Sequence, residues 1–475
     1  MLEFLSFIPT SFASSGATEV ISETAWMSTQ AIISIIGLVW LFAILITEKI
    51  DKTIVSMLIA SLLIFLQVFV DWSWVWPTSQ QVAGSFIYHN LDIFAFIIGM
   101  MIISGIAKDS GVFNYIALSI AKKVNGHPIK LFFILSYMAF FITIFISNIP
   151  TIIILAPIVV LITRKLDIPT IPYILWIITY ANLGWAVTPI SDPTTYYQAT
   201  TLWLSFWEVI SNTGLIMVIT TISSSIYLYL VFKKDFKTKP DLEELNKIKP
   251  IEYLKDKKEL IVSLLILLIV ILVVIFKEYI ATKTWLRLDN WSITLFWAFL
   301  LIFIMKHSVS NILNTKVDYA TLFFFAGLFI VVWALEHNWV IVMLANVLVD
   351  LTRWVDWTVW EWLLLLMLTM WSALLSVFID NVPYNIAMVS TLEAFRDNWV
   401  VVWATWTALA WGLNSCTSIG WAWSPIGAAC NVIALWQAEK TWVIVKFAKY
   451  LAIWVPLVII NSAIAYGILY FRYLG

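Results

Sequence analysis

Two aspartates, Asp192 and Asp380, stand inside long apolar stretches of this chain. A carboxylate kept inside a membrane is costly, so each is expected to hold a cation or carry a proton. The plainer alternative is that each only caps a half-helix. Around them in sequence lie the neutral polar residues Ser147, Asn148, Thr151, Asn182, Thr188, Ser191, Asn381, Asn385, Ser418, Ser424 and Asn431, all expected to line an ion or substrate path. Ser147-Asn148 and Asp380-Asn381 each come just before a proline, Pro150 or Pro383. Those are N-cap positions with proline in the first turn. The free N–H groups of such a helix start attract an anion. Carbonyls of unwound helices, expected over 182–194 and 414–431, coordinate a cation. The chemistry is binding and release, so no catalytic residue, cofactor or metal site is assigned. No zinc-hydrolase, P-loop or serine-hydrolase motif occurs in the sequence. Cys416 and Cys430 are too few for a disulfide framework. They read as small buried hydrophobes, although thiols also bind soft species such as arsenite.

The polar residues come in two sets. Phe145-Ile146-Ser147-Asn148-Ile149-Pro150 resembles Phe378-Ile379-Asp380-Asn381-Val382-Pro383, at an offset of 233 residues. Leu183-Gly184-Trp185-Ala186-Val187-Thr188-Pro189-Ile190-Ser191 resembles Ile419-Gly420-Trp421-Ala422-Trp423-Ser424-Pro425-Ile426-Gly427, at an offset of 236. Two motifs in one order at nearly one offset describe an internal repeat. Polar residues and proline at mid-membrane survive only where protein or a water-filled cavity surrounds them. An odd shift in topology between the copies makes them inverted repeats, an architecture of transporters.

The elements that must position these residues are transmembrane helices. Apolar residues are 62% of the chain and charged residues 12%, against about 25% charged in a soluble domain. That excludes a soluble enzyme and a disordered chain, and a net charge of −1 offers no surface for nucleic acid. Spans of about 20 apolar residues are expected at 31–47, 53–70, 91–107, 206–232, 260–276, 291–305, 319–334 and 450–471. Four more apolar stretches, 130–163, 171–203, 362–395 and 399–439, are interrupted by polar or proline-containing sequence. Residues 233–259 hold nine Lys and seven Asp or Glu and read as a cytoplasmic loop. With 130–163 and 362–395 as re-entrant hairpins, only Lys277, Lys283, Arg287, Arg353, Arg396 and Arg472 of the 28 Lys and Arg fall outside. Full crossings would weaken that bias. The expected fold is an all-α polytopic membrane protein of two inverted repeats, each with a re-entrant helical hairpin and an unwound transmembrane helix. Its expected divisions are an N-terminal segment 1–30, a first repeat 31–232, the loop 233–259 and a second repeat 260–475. Met1 to Ala13 lack a basic n-region and make a poor signal peptide.

These motifs resemble the ion-transporter superfamily, in particular its arsenite-permease and NhaD-type sodium/proton antiporter branch. The run from Leu375 through Asp380-Asn381-Val382-Pro383 is similar to that branch's S-A-x-x-D-N-(I/V)-P signature. Gly420 to Asn431 is similar to its G-G-N-G-T-L-I-G-x-x-A-N run, and Asn182 to Pro193 to N-I-G-G-x-A-T-x-I-G-D-P. Leu322 to Gly327 and Ile98 to Ile102 resemble its flanking helices. The resemblance covers most of the chain from about residue 30. It implies a bacterial inner-membrane secondary transporter, proton- or sodium-coupled, often a homodimer, moving a small ion or anion by alternating access. Sodium/proton antiport is the first expectation. Efflux of arsenite or another small oxyanion is the second, and citrate or dicarboxylate uptake the third. Ser147 replaces the branch's usual Asp, Ser191 a Gly, and Thr194-Thr195 a Pro-Asn pair. Related dicarboxylate carriers have Ser-Asn at both hairpin tips, so Ser147-Asn148 keeps that substrate class open.

One count is out of line for a membrane protein: 28 Trp and 15 Gly. Glycine averages about 7% and is enriched in transmembrane helices. Set against the family pattern, Trp185, Trp421, Trp423 and Trp436 fall at glycines. Asp71-Trp72-Ser73-Trp74-Val75-Trp76-Pro77 and Asn338-Trp339 would read as ordinary turns with glycine in place of Trp. An aromatic belt at the membrane interfaces explains neither the motif positions nor the missing glycine. The expectation is that many of these Trp stand for glycine, encoded by a UGA codon that the source bacterium reads as glycine.

Overall fold

A computed structural model describes residues 28–475 apart from 48–49, 70–87, 89–90, 239, 244–246, 255, 285, 341–342, 344–356, 377–380, 398–400, 422–428, 440–444 and 446. The described residues are helices and short connections, with no strand among them. The first half runs α1 (Thr29–Thr47), α2 (Lys52–Phe65), α3 (Leu91–Asp109), α4 (Val112–Lys123), α5 (Pro128–Thr143), α6 (Asn148–Lys165), α7 (Ile171–Trp185), α8 (Pro193–Thr201) and α9 (Phe206–Phe232). The second runs α10 (Lys257–Lys283), α11 (Asn290–Met305), α12 (Val309–Lys316), α13 (Tyr319–His337), α14 (Trp357–Leu375), α15 (Asn381–Asp397), α16 (Trp403–Trp421), α17 (Ala429–Glu439) and α18 (Phe447–Tyr473). Among the described residues six segments are long and apolar enough to cross a membrane, in α3, α6, α9, α10, α13 and α18.

Local chemistry sets the ends. Asp256 accepts from the N–H groups of Lys258 and Glu259 to start α10, and Asp318 from that of Thr321 to start α13. Each side-chain oxygen satisfies donors that a helix start leaves open. Pro128 occupies the first position of α5, where a missing N–H costs nothing. A π turn at Ile210–Gly214 interrupts α9.

Helix pairing repeats in both halves with the partners exchanged. α3 packs on α11 of the other half, and α13 packs on α2. α6 packs on α17, and α8 on α15. Within each half α5 packs on α7 and α14 on α16, while α9 and α18 meet each other. Glycine permits the exchanged contacts. A Cβ on Gly99 would lie 2.7 Å from the Thr294 carbonyl carbon, and one on Gly327 would lie 2.7 Å from that of Ser56.

α5 and α6 form a hairpin whose two outer ends meet. Gly126, just before α5, lies against the Leu166 side chain, just after α6, and against Leu242. The Asp241 N–H donates to the Leu166 carbonyl at 2.9 Å, and the Tyr173 hydroxyl donates to the Pro128 carbonyl at 3.0 Å. The chain therefore enters and leaves at the end where 233–259 lies. That charged segment is more than a solvated loop. Its turn Pro250–Tyr253 packs on α4, and the Lys122 ammonium donates to the Ile248 carbonyl.

The breaks are narrower than the sequence suggests. α7 continues through Trp185, leaving 186–192 outside helix, and α16 is helical as far as Trp421. The carbonyls of 414–417 therefore lie within the helical ladder, whereas those of 182–185 end α7, where a helix leaves its last four carbonyls without intrahelical partners. The sequence reading also passed over α4 and α12. Each is too short and too polar to register as a span, yet α4 buries Phe113, Ala117, Leu118 and Ala121.

Candidate transport site

The hairpin tip and the two breaks meet around Asn182 on α7. Its Oδ1 accepts from Asn148 Nδ2 at 3.1 Å, and its Nδ2 donates to Asn431 Oδ1 at 2.9 Å. Asn431 Nδ2 donates in turn to the Trp421 carbonyl at 3.0 Å. The Cys430 thiol donates to Asn182 Oδ1 at 3.1 Å. Asn148 is the first residue of α6 and Asn431 the third of α17, so two half-helix N-termini converge on one amide. All three asparagines are buried, and Asn148 Oδ1 has no hydrogen-bond partner among the described residues.

A second cross-half linkage centres on Asp192. The carboxylate caps α8, accepting from the Thr194 N–H at 2.8 Å and from the hydroxyls of Thr194 and Thr195 at 2.6 Å. The Thr195 hydroxyl also lies 3.0 Å from Asn414 Oδ1, and Asn414 Nδ2 donates to the Thr213 hydroxyl at 3.3 Å. One turn along α8, Gln198 Nε2 donates to the Ala410 carbonyl at 2.6 Å and Asn385 Nδ2 approaches Gln198 Oε1 at 3.5 Å. Among the described residues no cationic side chain pairs with it; hydroxyls and a helix start hold the carboxyl group, which is how a buried acid stays hydrogen-bonded.

The remaining candidates divide. Ser147 is the N-cap residue of α6 without a side-chain cap bond, and its carbonyl accepts from the Thr151 hydroxyl at 3.0 Å. The Thr188 hydroxyl donates to the Ile144 carbonyl and ties the break to the hairpin tip. Ser191 folds back on the break, its hydroxyl donating to the Trp185 carbonyl at 3.0 Å. Ser418 lies within α16, buried, with no partner for its hydroxyl among the described residues. Asp380, Ser424 and Trp423 lie outside the described residues, as do the side chains of Asn381 and Trp436. Trp185 and Trp421 stack on each other, ring centroids 4.7 Å apart and planes 9° apart. Sequence reasoning missed Gln198, although its spacing of three and four from Thr195 and Thr194 puts it on their helix face. It favoured packing over ligand binding for Cys430, whose thiol hydrogen-bonds the central amide.

The citrate transporter family, CitMHS, matches residues 42–413 of this chain. The chain belongs to that family. This member is 27% identical over 454 residues to the 46 kDa membrane protein of Mycobacterium leprae, covering 94% of this chain and 99% of that protein. It is 26% identical over 451 residues to an uncharacterized transporter of Mycobacterium tuberculosis, with the same coverage. The P protein of mouse is 23% identical over 79% of this chain and 53% of its own length. The YdaH transporter of Alcanivorax borkumensis superposes with a TM-score of 0.58 at 13% identity, covering 94% of this chain and 100% of that one. That likeness concerns the fold. The protein is thus a membrane transporter, and the superfamily resemblance holds at the level of the citrate transporter family.

Proposed function

We propose that this protein is a cation-coupled carrier of a small polycarboxylate such as citrate, working by alternating access between two inverted halves. The observation that carries the reading is the convergence of the α6 and α17 N-termini on Asn182. Half-helix starts at a midplane supply N–H groups and positive dipole ends to a carboxylate. The family match favours the same substrate class. Ser147, Asn148, Thr151, Asn182, Asn385 and Asn431 would line the anion's site, and Thr188, Ser191, Asp192 and Asp380 would serve the coupling cation. The membrane is a bacterial plasma membrane with 233–259 on the cytoplasmic side, as its nine Lys favour.

Sodium/proton antiport is the second reading, favoured by the buried carboxylate of Asp192 at a helix break. Uptake into everted vesicles tests both, with labelled citrate, succinate and arsenite under imposed sodium or proton gradients. Citrate accumulation that needs a cation gradient supports the first reading. Sodium-driven proton movement with no citrate accumulation overturns it in favour of antiport, and arsenite accumulation alone overturns both.

A further inference from the structure

Glycine in this fold sits where helices touch and where helix ends turn, and the two halves show each place twice. α3 and α13 align at an offset of 228 residues, with Gly99 matching Gly327. In that register Gly105 matches Trp333 and Gly111 matches Trp339. Gly111 has φ +80° and Trp339 φ +60°. The same left-handed residue follows both helices, once as glycine and once with an indole. A bulky residue there is an outlier, because its Cβ crowds the backbone. The offset of 236 that matches Gly184 with Gly420 also matches Trp176 with Gly412. At Gly412 the neighbouring helix is so close that a Cβ would lie 2.9 Å from Thr369 Cγ2.

Trp203 repeats the helix-end case without its partner half. It follows α8 with φ +58°. Its N–H donates to the Thr200 carbonyl and the Leu204 N–H to the Ala199 carbonyl. This is the Schellman closure, whose left-handed residue is usually glycine. The Trp203 side chain is 86% exposed, so little packing offsets the backbone cost.

Trp185 and Trp421 occupy one repeat position in the two halves and stack between them. The Trp421 indole N–H is buried with no partner among the described residues. Trp185 lies three residues after Asn182 on α7, and the Trp421 carbonyl accepts from Asn431.

We propose that positions 176, 185, 203, 333, 339 and 421 are glycine in the protein its own cells make, each from a UGA codon read as glycine. Without the two central indoles, the contact between the halves is a cavity that admits a carboxylate anion. The glycine assignment stands on backbone angles and on the repeat; the anion assignment rests on the transport reading above. Glycine at 185 and 421 also lets the backbone approach a ligand that an indole would exclude.

Peptides of the chain purified from its source cells, read by tandem mass spectrometry, are expected to carry glycine at these six positions. Tryptophan there overturns the proposal whatever the protein transports. The cavity is read on protein with Trp185→Gly and Trp421→Gly in a Cys416→Ala background. Cys430, beside Asn182, is expected to react with a small charged thiol reagent in that protein, to be protected by citrate, and to stay unlabelled when both tryptophans remain. Equal labelling of the two proteins overturns the cavity. Labelling that citrate does not slow overturns the anion assignment alone and leaves the glycine assignment to the peptide masses.

Discussion

Asn182 and Asn431 share a 2.9 Å hydrogen bond across 249 residues of sequence, and through it the break of one half holds the break of the other. Asn182 also accepts from Asn148 at the hairpin tip. Three broken elements are therefore registered by one side chain, and a carrier that alternates must remake or shift these bonds as the halves move.

Asn182→Ala is the direct probe. It takes the acceptor from Asn148 Nδ2 and one donor from Asn431 Oδ1, which keeps the Cys430 thiol at 3.4 Å; a buried group left unsatisfied costs about 1–3 kcal/mol. Thermal unfolding in detergent should show the loss, and uptake should fall with it. Wild-type stability in the variant would mean that the amide chain is not what registers the breaks.

Asp192 separates capping from ion binding. Asp192→Ala removes the α8 cap, worth about 1 kcal/mol, leaves the Thr194 hydroxyl without this acceptor and leaves that of Thr195 with Asn414 Oδ1. Asp192→Asn keeps an acceptor for the Thr194 N–H, removes the charge and puts an NH2 donor where the second carboxylate oxygen accepts from the Thr195 hydroxyl. The expected result is near-native stability with loss of cation dependence for the Asn variant, and loss of both for Ala. Unchanged sodium and proton dependence in Asp192→Asn would assign the residue to capping.

The repeat predicts paired mutational effects. A Cβ on Gly184 would lie 2.3 Å from the Phe140 carbonyl oxygen, and one on Gly420 would lie 2.3 Å from that of Ala373. Gly184→Ala and Gly420→Ala should each destabilise by about 1–3 kcal/mol, as overpacking does. Gly467, within α18, has nothing within 4 Å of such an atom. Gly467→Ala should gain up to roughly 1 kcal/mol from helix propensity alone. Denaturation midpoints of the three variants check the contrast.

What the sequence revealed and concealed follows from range. The first hairpin tip and the first break were legible because proline and polar residues in apolar runs have few structural excuses; the second tip at 377–380 and the second break at 422–428 lie outside the described residues. The apolar runs located most helices to within a few residues. The Asn182–Asn431 bond was not legible, since no local signal pairs residues that meet only through the exchange of α6 and α17 between halves. Thr195 and Gln198 were hidden for the same reason: their partners Asn414, Ala410 and Asn385 come from the other half. The breaks were read too widely, over 182–194 and 414–431, whereas Gly184 and Gly420 are helical residues that let neighbouring backbones approach.

The hairpin of α5 and α6 gives a topological prediction. Asn125 precedes it, Asp167 follows it, and Asp241 lies in the charged segment that bonds to Leu166. All three are exposed, and the geometry puts them at one end of the molecule. Single cysteines at 125, 167 and 241, in a background lacking Cys416 and Cys430, should therefore share one pattern with an impermeant thiol reagent. With the lysine-rich segment cytoplasmic, all three should label in inside-out vesicles and none in intact cells. If α5 and α6 instead crossed the membrane as a continuous pair of half-spans, position 167 would label from the side opposite to 125. Labelling of all three from outside only would keep the re-entrant hairpin and reverse the orientation, because the meeting of the hairpin's ends does not depend on which face of the membrane they share.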